Sequence, residues 1–329
     1  MSGSILSPFK TVRLSRPELV EQTEGKVLGN TQSSFLRTLL YFDIFNHPLT
    51  LEEIFSYSSS LDIAEIQHEA DYLLRQNWIA TANGKYFLKG KDSNVQFREL
   101  LNKRANSFYE KADRYTKLIS RFPFVRGVLI TGSLSKGCME ENGDIDYLII
   151  TKPNRLWLCR TLLTAYKKTV LFNSRKYFCV NYYLDADSLR IPDHNLFTAT
   201  EITSAKPAYN AAICEQFFMA NNWTEHFYPN MQQQNLFAVH EKTETNLKRL
   251  LENLLGGKIG ELADEGAMRL FMWRWKNKFK GEDKKRFEVN FRSRRNVSKH
   301  HPHGFQFRVM NSYEQKIKDF ETQYKVKLT

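Results

Sequence analysis

Thr131 to Ile150 reads TGSLSKGCMEENGDIDYLII: a Gly-Ser pair, ten further residues, two aspartates separated by one apolar residue, then a run of β-formers. The preceding segment, Val125–Thr131, is also strand-like, so the pattern requires two strands joined through a tight connection at Gly132 and Ser133. Side chains alternate faces along a strand, so Asp144 and Asp146 are expected on one side, about 6.5–7 Å apart along the backbone, with Ile145 and Tyr147 on the other. Two carboxylates so placed suit magnesium, a hard cation that takes oxygen ligands and keeps company with substrate phosphates. Glycine permits close backbone approach, and the N–H groups of such a turn, with the Ser133 hydroxyl, can hold phosphate oxygens. Lys136 follows the turn and could pair with a phosphate, although a solvated turn lysine explains it equally well.

The elements around this motif predict an α+β fold. Residues 1–32 are polar, without sustained period, and read as a flexible N-terminal arm. Residues 33–93 hold three helical patterns: a stripe from Phe35 to Ile44 that stops near His47-Pro48, a helix capped by Thr50 with Glu53 completing a capping box, and a helix from about Asp62. A hairpin around Asn83-Gly84 follows, and three helices followed by a hairpin resemble a winged-helix domain. Its reading helix would carry Asp62, Glu65, Glu69 and Asp71 against Arg75, which suits protein packing better than DNA phosphates.

Residues 94–199 begin with a basic amphipathic helix and then alternate strand, turn, strand, helix and strand, the last being KYFCVNYYL. Residues 200–280 read as helical, with a leucine stripe from Leu247 to Leu255 closing at Gly256-Gly257, and residues 281–329 as a basic C-terminal segment ordered where it docks.

The order strand, Gly132-Ser133, ten residues, Asp144-Ile145-Asp146, strand resembles the signature of the DNA polymerase β-type nucleotidyltransferase superfamily, over a core from about Arg121 to Leu184. The resemblance implies a mixed β-sheet core with helices, Mg2+ held by Asp144 and Asp146, and a nucleotide triphosphate (ATP or another NTP) held by Gly132 and Ser133. It also implies transfer of a nucleoside monophosphate to a hydroxyl on a small molecule, a protein or an RNA. Active members carry a third carboxylate on the strand after the helix, where this chain offers Asn181. Asparagine can lend a neutral oxygen to a metal but cannot take a proton as a base. Asp185, Asp187 and Glu201 are the substitutes within reach in sequence, and a non-catalytic nucleotide- or nucleic-acid-binding regulator is the alternative reading.

Composition narrows the remaining classes. Hydrophobic residues make up 42% of the 329 and aromatics 13%, as in folded globular proteins. No run of about 18 apolar residues occurs, and the start lacks a signal-peptide pattern, so no membrane association and a cytoplasmic location are expected. Four widely spaced cysteines predict reduced thiols. The net charge of +12 is concentrated between Arg274 and Lys327, where 16 Lys and Arg face 6 Asp and Glu. That segment could contact nucleic acid through Arg292, Arg294, Arg295 and Lys299 interleaved with phenylalanines, although a basic surface over a phenylalanine core accounts for the same residues. Arg155 and Arg160 open the helix after the Asp pair and could face a polyanion while Trp157 packs. His300, His301 and His303 form a cluster that Pro302 interrupts, and no nearby carboxylate or thiol completes a tetrahedral metal set. No P-loop, H-E-x-x-H or nucleophile-elbow motif is present.

Overall fold

The computed structural model describes residues 26–58, 63–232, 239–241, 244–301 and 304–329. A short strand β1 (Lys26–Val27) leads into α1 (Asn30–Asp43), α2 (Leu51–Ser56) and α3 (Ile63–Arg75), then the hairpin β2 (Ile79–Ala82) and β3 (Lys85–Leu88). The apolar stripe of α1 buries Phe35, Leu36, Leu39 and Leu40. At the start of α2 the Glu53 amide donates to Thr50 Oγ1 at 3.3 Å while the Thr50 amide donates to Glu53 Oε2 at 2.9 Å, so two otherwise orphaned donors are satisfied. Asn83 and Gly84 take φ of +51° and +69°, the left-handed pair a two-residue hairpin turn demands. The 28-residue α4 (Ser93–Ser120) connects this module to the central sheet.

The sheet begins with β4 (Val125–Thr131), the one-turn helix α5 (Gly132–Ser135), β5 (Asp146–Thr151), α6 (Leu156–Thr169) and β6 (Cys179–Asp185). After it come α7 (Leu196–Ser204), β7 (Lys206–Tyr209), α8 (Ala211–Ala220), α9 (Asn246–Leu254), α10 (Lys258–Lys278) and α11 (Lys284–Asn290). Strands β8 (Ser293–Arg294) and β9 (Val297–Lys299), helix α12 (Phe305–Tyr324) and β10 (Val326–Lys327) complete the described chain. The six strands lie in the order β7-β4-β5-β6-β9-β8. Within this sheet, among the described strands, only the neighbours β5 and β6 run parallel, and α6 supplies the crossover that a parallel pair requires. Val128, Ile130, Tyr147, Ile149 and Tyr183 line one face of the sheet and pack with α4, α6 and Trp275 of α10. Leu129, Leu148, Ile150, Tyr182 and Leu184 line the other, against Cys214 and Phe217 of α8. The fold is therefore mixed α+β, built on a mixed sheet, as the alternation of elements predicts.

Four features depart from the sequence reading. The expected N-terminal arm is described only from Lys26, where its end pairs in parallel with Val326 and Lys327 and α1 already starts at Asn30. The stretch read as purely helical after residue 200 contains β7, whose Pro207 removes a ladder donor and which accordingly sits at the sheet edge. The leucine stripe ending α9 is split: Leu247, Leu250 and Leu254 are exposed and Leu255 packs at the edge of the core, whereas Lys248 is buried and donates through Nζ to Ser120 O and Val125 O at 2.8 and 2.9 Å. Finally, residues 281–329 divide between two places. β8 and β9 extend the central sheet, while α12 and β10 return to the N-terminal helices, burying Val309, Tyr313, Phe320, Val326 and Leu328 among Phe35, Leu39 and Tyr41.

Candidate functional site

The Gly-Ser turn and the Asp pair meet at one end of the sheet. Thr131, the last residue of β4, pairs with Asp146, the first of β5. Gly132 follows at φ +70°, and a β-carbon placed there would lie 2.5 Å from Asp146 Oδ2. Two requirements, a left-handed backbone and room for a carboxylate, thus fall on this one glycine. Ser133 is exposed at the start of α5. Asp144 precedes β5 rather than lying within it, but the alternation holds: Ile145 is fully buried while Asp144 and Asp146 line the same cavity.

Asn181 reaches this carboxylate through an irregularity in the sheet. Tyr147 pairs with Val180 but Leu148 pairs with Tyr182, so Asn181 is the extra residue of a bulge. Bulges re-aim a side chain, and here Asn181 Nδ2 donates to Asp146 Oδ1 at 2.9 Å. A second acid arrives from α7. Glu201 Oε1 lies 2.7 Å from Lys136 Nζ, which also donates to Gly132 O at 3.1 Å. Burial, opposed by hydrogen bonds from Cys179 and Asn181 and reinforced by the charges of Glu201 and Asp144, pushes the Asp146 carboxyl up to about 7. The Cys179 thiol is driven well above its ordinary range by burial and by the two aspartates, so it stays protonated and donates.

These groups open onto a cavity of about 1120 Å³, whose wall runs from Tyr41, His47 and Phe97 past Gly132, Ser133, Lys136, Asp144, Asp146, Asn181 and Glu201 to α6, α10 and the start of α12. At one side, His47 Nδ1 and Cys138 Sγ lie 3.4 Å apart, and burial with the charges of Arg98 and Lys136 lowers the His47 ring to about 3, so it is neutral. The donor set suits a hard divalent cation, because carboxylates of like charge face each other and raise the proton affinity of Asp146. Among the described residues no three His, Cys, Asp or Glu side chains converge as a ready-made metal cage. A cation would rest on Asp144 and Asp146, with water and substrate oxygens completing its shell.

The other sequence candidates separate clearly. Asp185 lies at the far end of β6, opposite Thr151, where it accepts from the Asn154 and Asp187 amides at 2.8 and 3.0 Å, so neither it nor Asp187 substitutes for a third acid. Arg155 is absorbed by the carbonyls of Leu255, Gly256 and Gly257. Trp157 is fully buried. Arg292 and Lys299 both engage Asp193, Arg294 engages Glu288 and Arg295 engages Glu261, so the four cations of the candidate nucleic-acid clamp are each paired within the chain. His300 and His301 are lowered to about 3 by burial and neighbouring cations; both are half-buried in the cavity wall, His300 tilted against Trp275 and His301 edge-on to Tyr182, while His303 lies outside the described residues.

Sequence reasoning did not single out Cys179, Lys167 or Arg175 as part of the site, because strand register and helix docking bring them there. Among the described residues, no helix is long and apolar enough to cross a membrane. Comparison with protein-family models, curated proteins and solved structures finds no match to this chain.

Proposed function

We propose that this chain is a magnesium-dependent nucleotidyltransferase that moves a nucleoside monophosphate from a nucleotide triphosphate to a hydroxyl acceptor. One observation carries the reading. The glycine of the Gly-Ser turn is in such close contact with Asp146 that phosphate-holding backbone and metal-binding carboxylate address one point, inside a cavity of about 1120 Å³. That volume is at the upper end for small-molecule sites and accommodates a nucleotide beside a second substrate.

In this scheme Gly132 and Ser133 present N–H and hydroxyl donors to the triphosphate, and Lys136 supplies a nearby positive charge. Asp144 and Asp146 would hold Mg2+, whose chemistry is to neutralise charge on the phosphate oxygens during displacement. The acceptor oxygen attacks the α-phosphorus, the bond to pyrophosphate breaks, and the acceptor proton needs a base. Asn181 cannot take it, and its role is to hold the Asp146 carboxylate through their 2.9 Å bond. Glu201 is the remaining carboxylate beside Lys136 and is assigned the proton, which requires its pairing with Lys136 to loosen when the triphosphate enters.

A second reading draws on the same contacts: with Asn181 on Asp146 and Lys136 on Glu201, the fold would serve a regulator that binds nucleotide without turning it over. The two part in one experiment. Full-length protein is given Mg2+ and each α-labelled nucleotide triphosphate with a panel of hydroxyl acceptors. Pyrophosphate release that Asp144→Asn lowers at least a hundredfold supports the transferase, whereas nucleotide binding with no release from any acceptor supports the regulator.

A further inference from the structure

Away from the carboxylates, the part of the cavity wall around α6 is basic, and its central cation lacks partners. Arg160 on α6 is 6% exposed, and its Nε and Nη1 are buried without any hydrogen bond. Its guanidinium carbon lies 4.8 Å from the Tyr183 ring centroid, 4.9 Å from that of Trp275 and 5.5 Å from that of Phe271. Aromatic rings attract a cation across their faces but offer no acceptor to its N–H edge. A buried charge left in that state is costly. Most other buried cations of this protein are treated differently: Arg98 has Glu53, Arg155 has four carbonyls, Arg292 and Lys299 have Asp193, and Lys248 has two carbonyls.

Arg160 is not isolated. Arg160, Thr164, Lys167 and Lys168 recur at helical spacing along one side of α6, and all four line the cavity with Arg175, Arg274 and His300. Among the described residues no ion pair involves Arg160, Lys167, Lys168, Arg175 or Arg274. Their charges are felt mutually: after burial, Arg175, Arg160 and Lys168 hold the Lys167 ammonium below its ordinary value, and Arg160 and Arg175 help keep His300 neutral. The wall adjoins the catalytic end of the sheet, since Lys167 acts on the Cys179 thiol and Cys179 bonds Asp146. The phosphate seat at Gly132 and Ser133 lies instead at the β4–α5 turn, beside Glu201 of α7.

We propose that this wall, centred on Arg160, binds a phosphate group carried by a small-molecule acceptor, leaving the donor nucleotide to the Gly-Ser turn. Naming the ligand an acceptor rests on the transferase reading; the anion site itself rests on Arg160 and its unpaired neighbours. Guanidinium and clustered ammonium groups match the charge and oxygen geometry of a phosphomonoester, and the enclosed position favours a small molecule over a polymer.

The test uses the full-length protein, inorganic phosphate and a simple sugar phosphate as probes, and titration calorimetry with melting curves. One phosphate site per chain is expected, weakened at least tenfold in Arg160→Met and several-fold in the exposed-site variant Arg175→Gln. Saturating Mg2+ and a non-hydrolysable nucleotide triphosphate should leave phosphate affinity unchanged. In phosphate-free buffer Arg160→Met should melt above wild type and lose the phosphate-induced rise in melting temperature, which a purely packing role would not produce. Absence of phosphate binding, one-for-one displacement of phosphate by the nucleotide, or an Arg160→Met protein that melts below wild type would each overturn the proposal. Phosphate binding without pyrophosphate release would instead remove the transferase reading while leaving the anion site in place. Release to simple alcohols with no phosphate binding would do the reverse.

Discussion

Asp146 couples the chemistry of the site to the stability of the chain. Its folded value of about 7 lies above the ordinary 3.8, so the folded protein holds this proton more tightly than the unfolded one. The stability contributed by that proton is fully present below about pH 4 and is lost as pH rises to 7, where the carboxylate must ionise against burial, Glu201 and Asp144. Asp146→Asn is therefore expected to stabilise the protein by about 2 kcal/mol at pH 8, allowing for the part of the carboxylate that faces the cavity, and not at all at pH 4. Paired urea titrations at the two pH values check this, and equal differences at both would contradict it. Asn181→Asp makes the opposite change, replacing a donor to Asp146 with a third negative charge. Without metal it is expected to cost about 1–3 kcal/mol at pH 8. Added Mg2+ should recover that loss and bind more tightly than to wild type, as read by calorimetry.

At the scale of elements, the site depends on how β4, α5 and β5 close on each other. Gly132→Ala combines a left-handed backbone with a β-carbon 2.5 Å from Asp146 Oδ2, so the carboxylate must move. A loss of about 1–3 kcal/mol and weaker Mg2+ binding are expected together, whereas Ser133→Ala, at an exposed position, should leave stability unchanged and weaken nucleotide alone. Much of this arrangement was legible from local chemistry. The Thr50 cap, the Asn83-Gly84 turn, the strand-turn-strand around Gly132 and the shared side of Asp144 and Asp146 each follow from a few adjacent residues. What was not legible depends on pairing between distant segments. The bulge that turns Asn181 toward Asp146 exists only in the register of β5 against β6. Glu201 reaches Lys136 because α7 follows a loop whose path no periodicity encodes. The leucines of α9 have strong helical spacing, yet the helix is seated by Lys248 and by Glu252, which bonds Arg126 and the Phe124 amide, so Leu247, Leu250 and Leu254 face outward.

At the scale of the whole molecule, the chain is closed by its own tail. Val326 and Leu328 are buried in the N-terminal helical core, and the Arg37 guanidinium donates to the carbonyls of Leu328 and Thr329 at 3.1 and 2.9 Å. Burying two such side chains contributes roughly 3–5 kcal/mol, so removal of residues 326–329 is expected to destabilise the protein by about that amount in chemical denaturation. A change below about 1 kcal/mol would show that the tail merely rests on the surface. The helix held by this tail is also structural to the cavity, because Phe305 and Arg308 of α12 stand in its wall while Tyr313 packs on Tyr41. A cut that removes residues 326–329 would therefore slacken a partition of the cavity some twenty residues upstream, and ligand affinity would report on whether that short segment is in place.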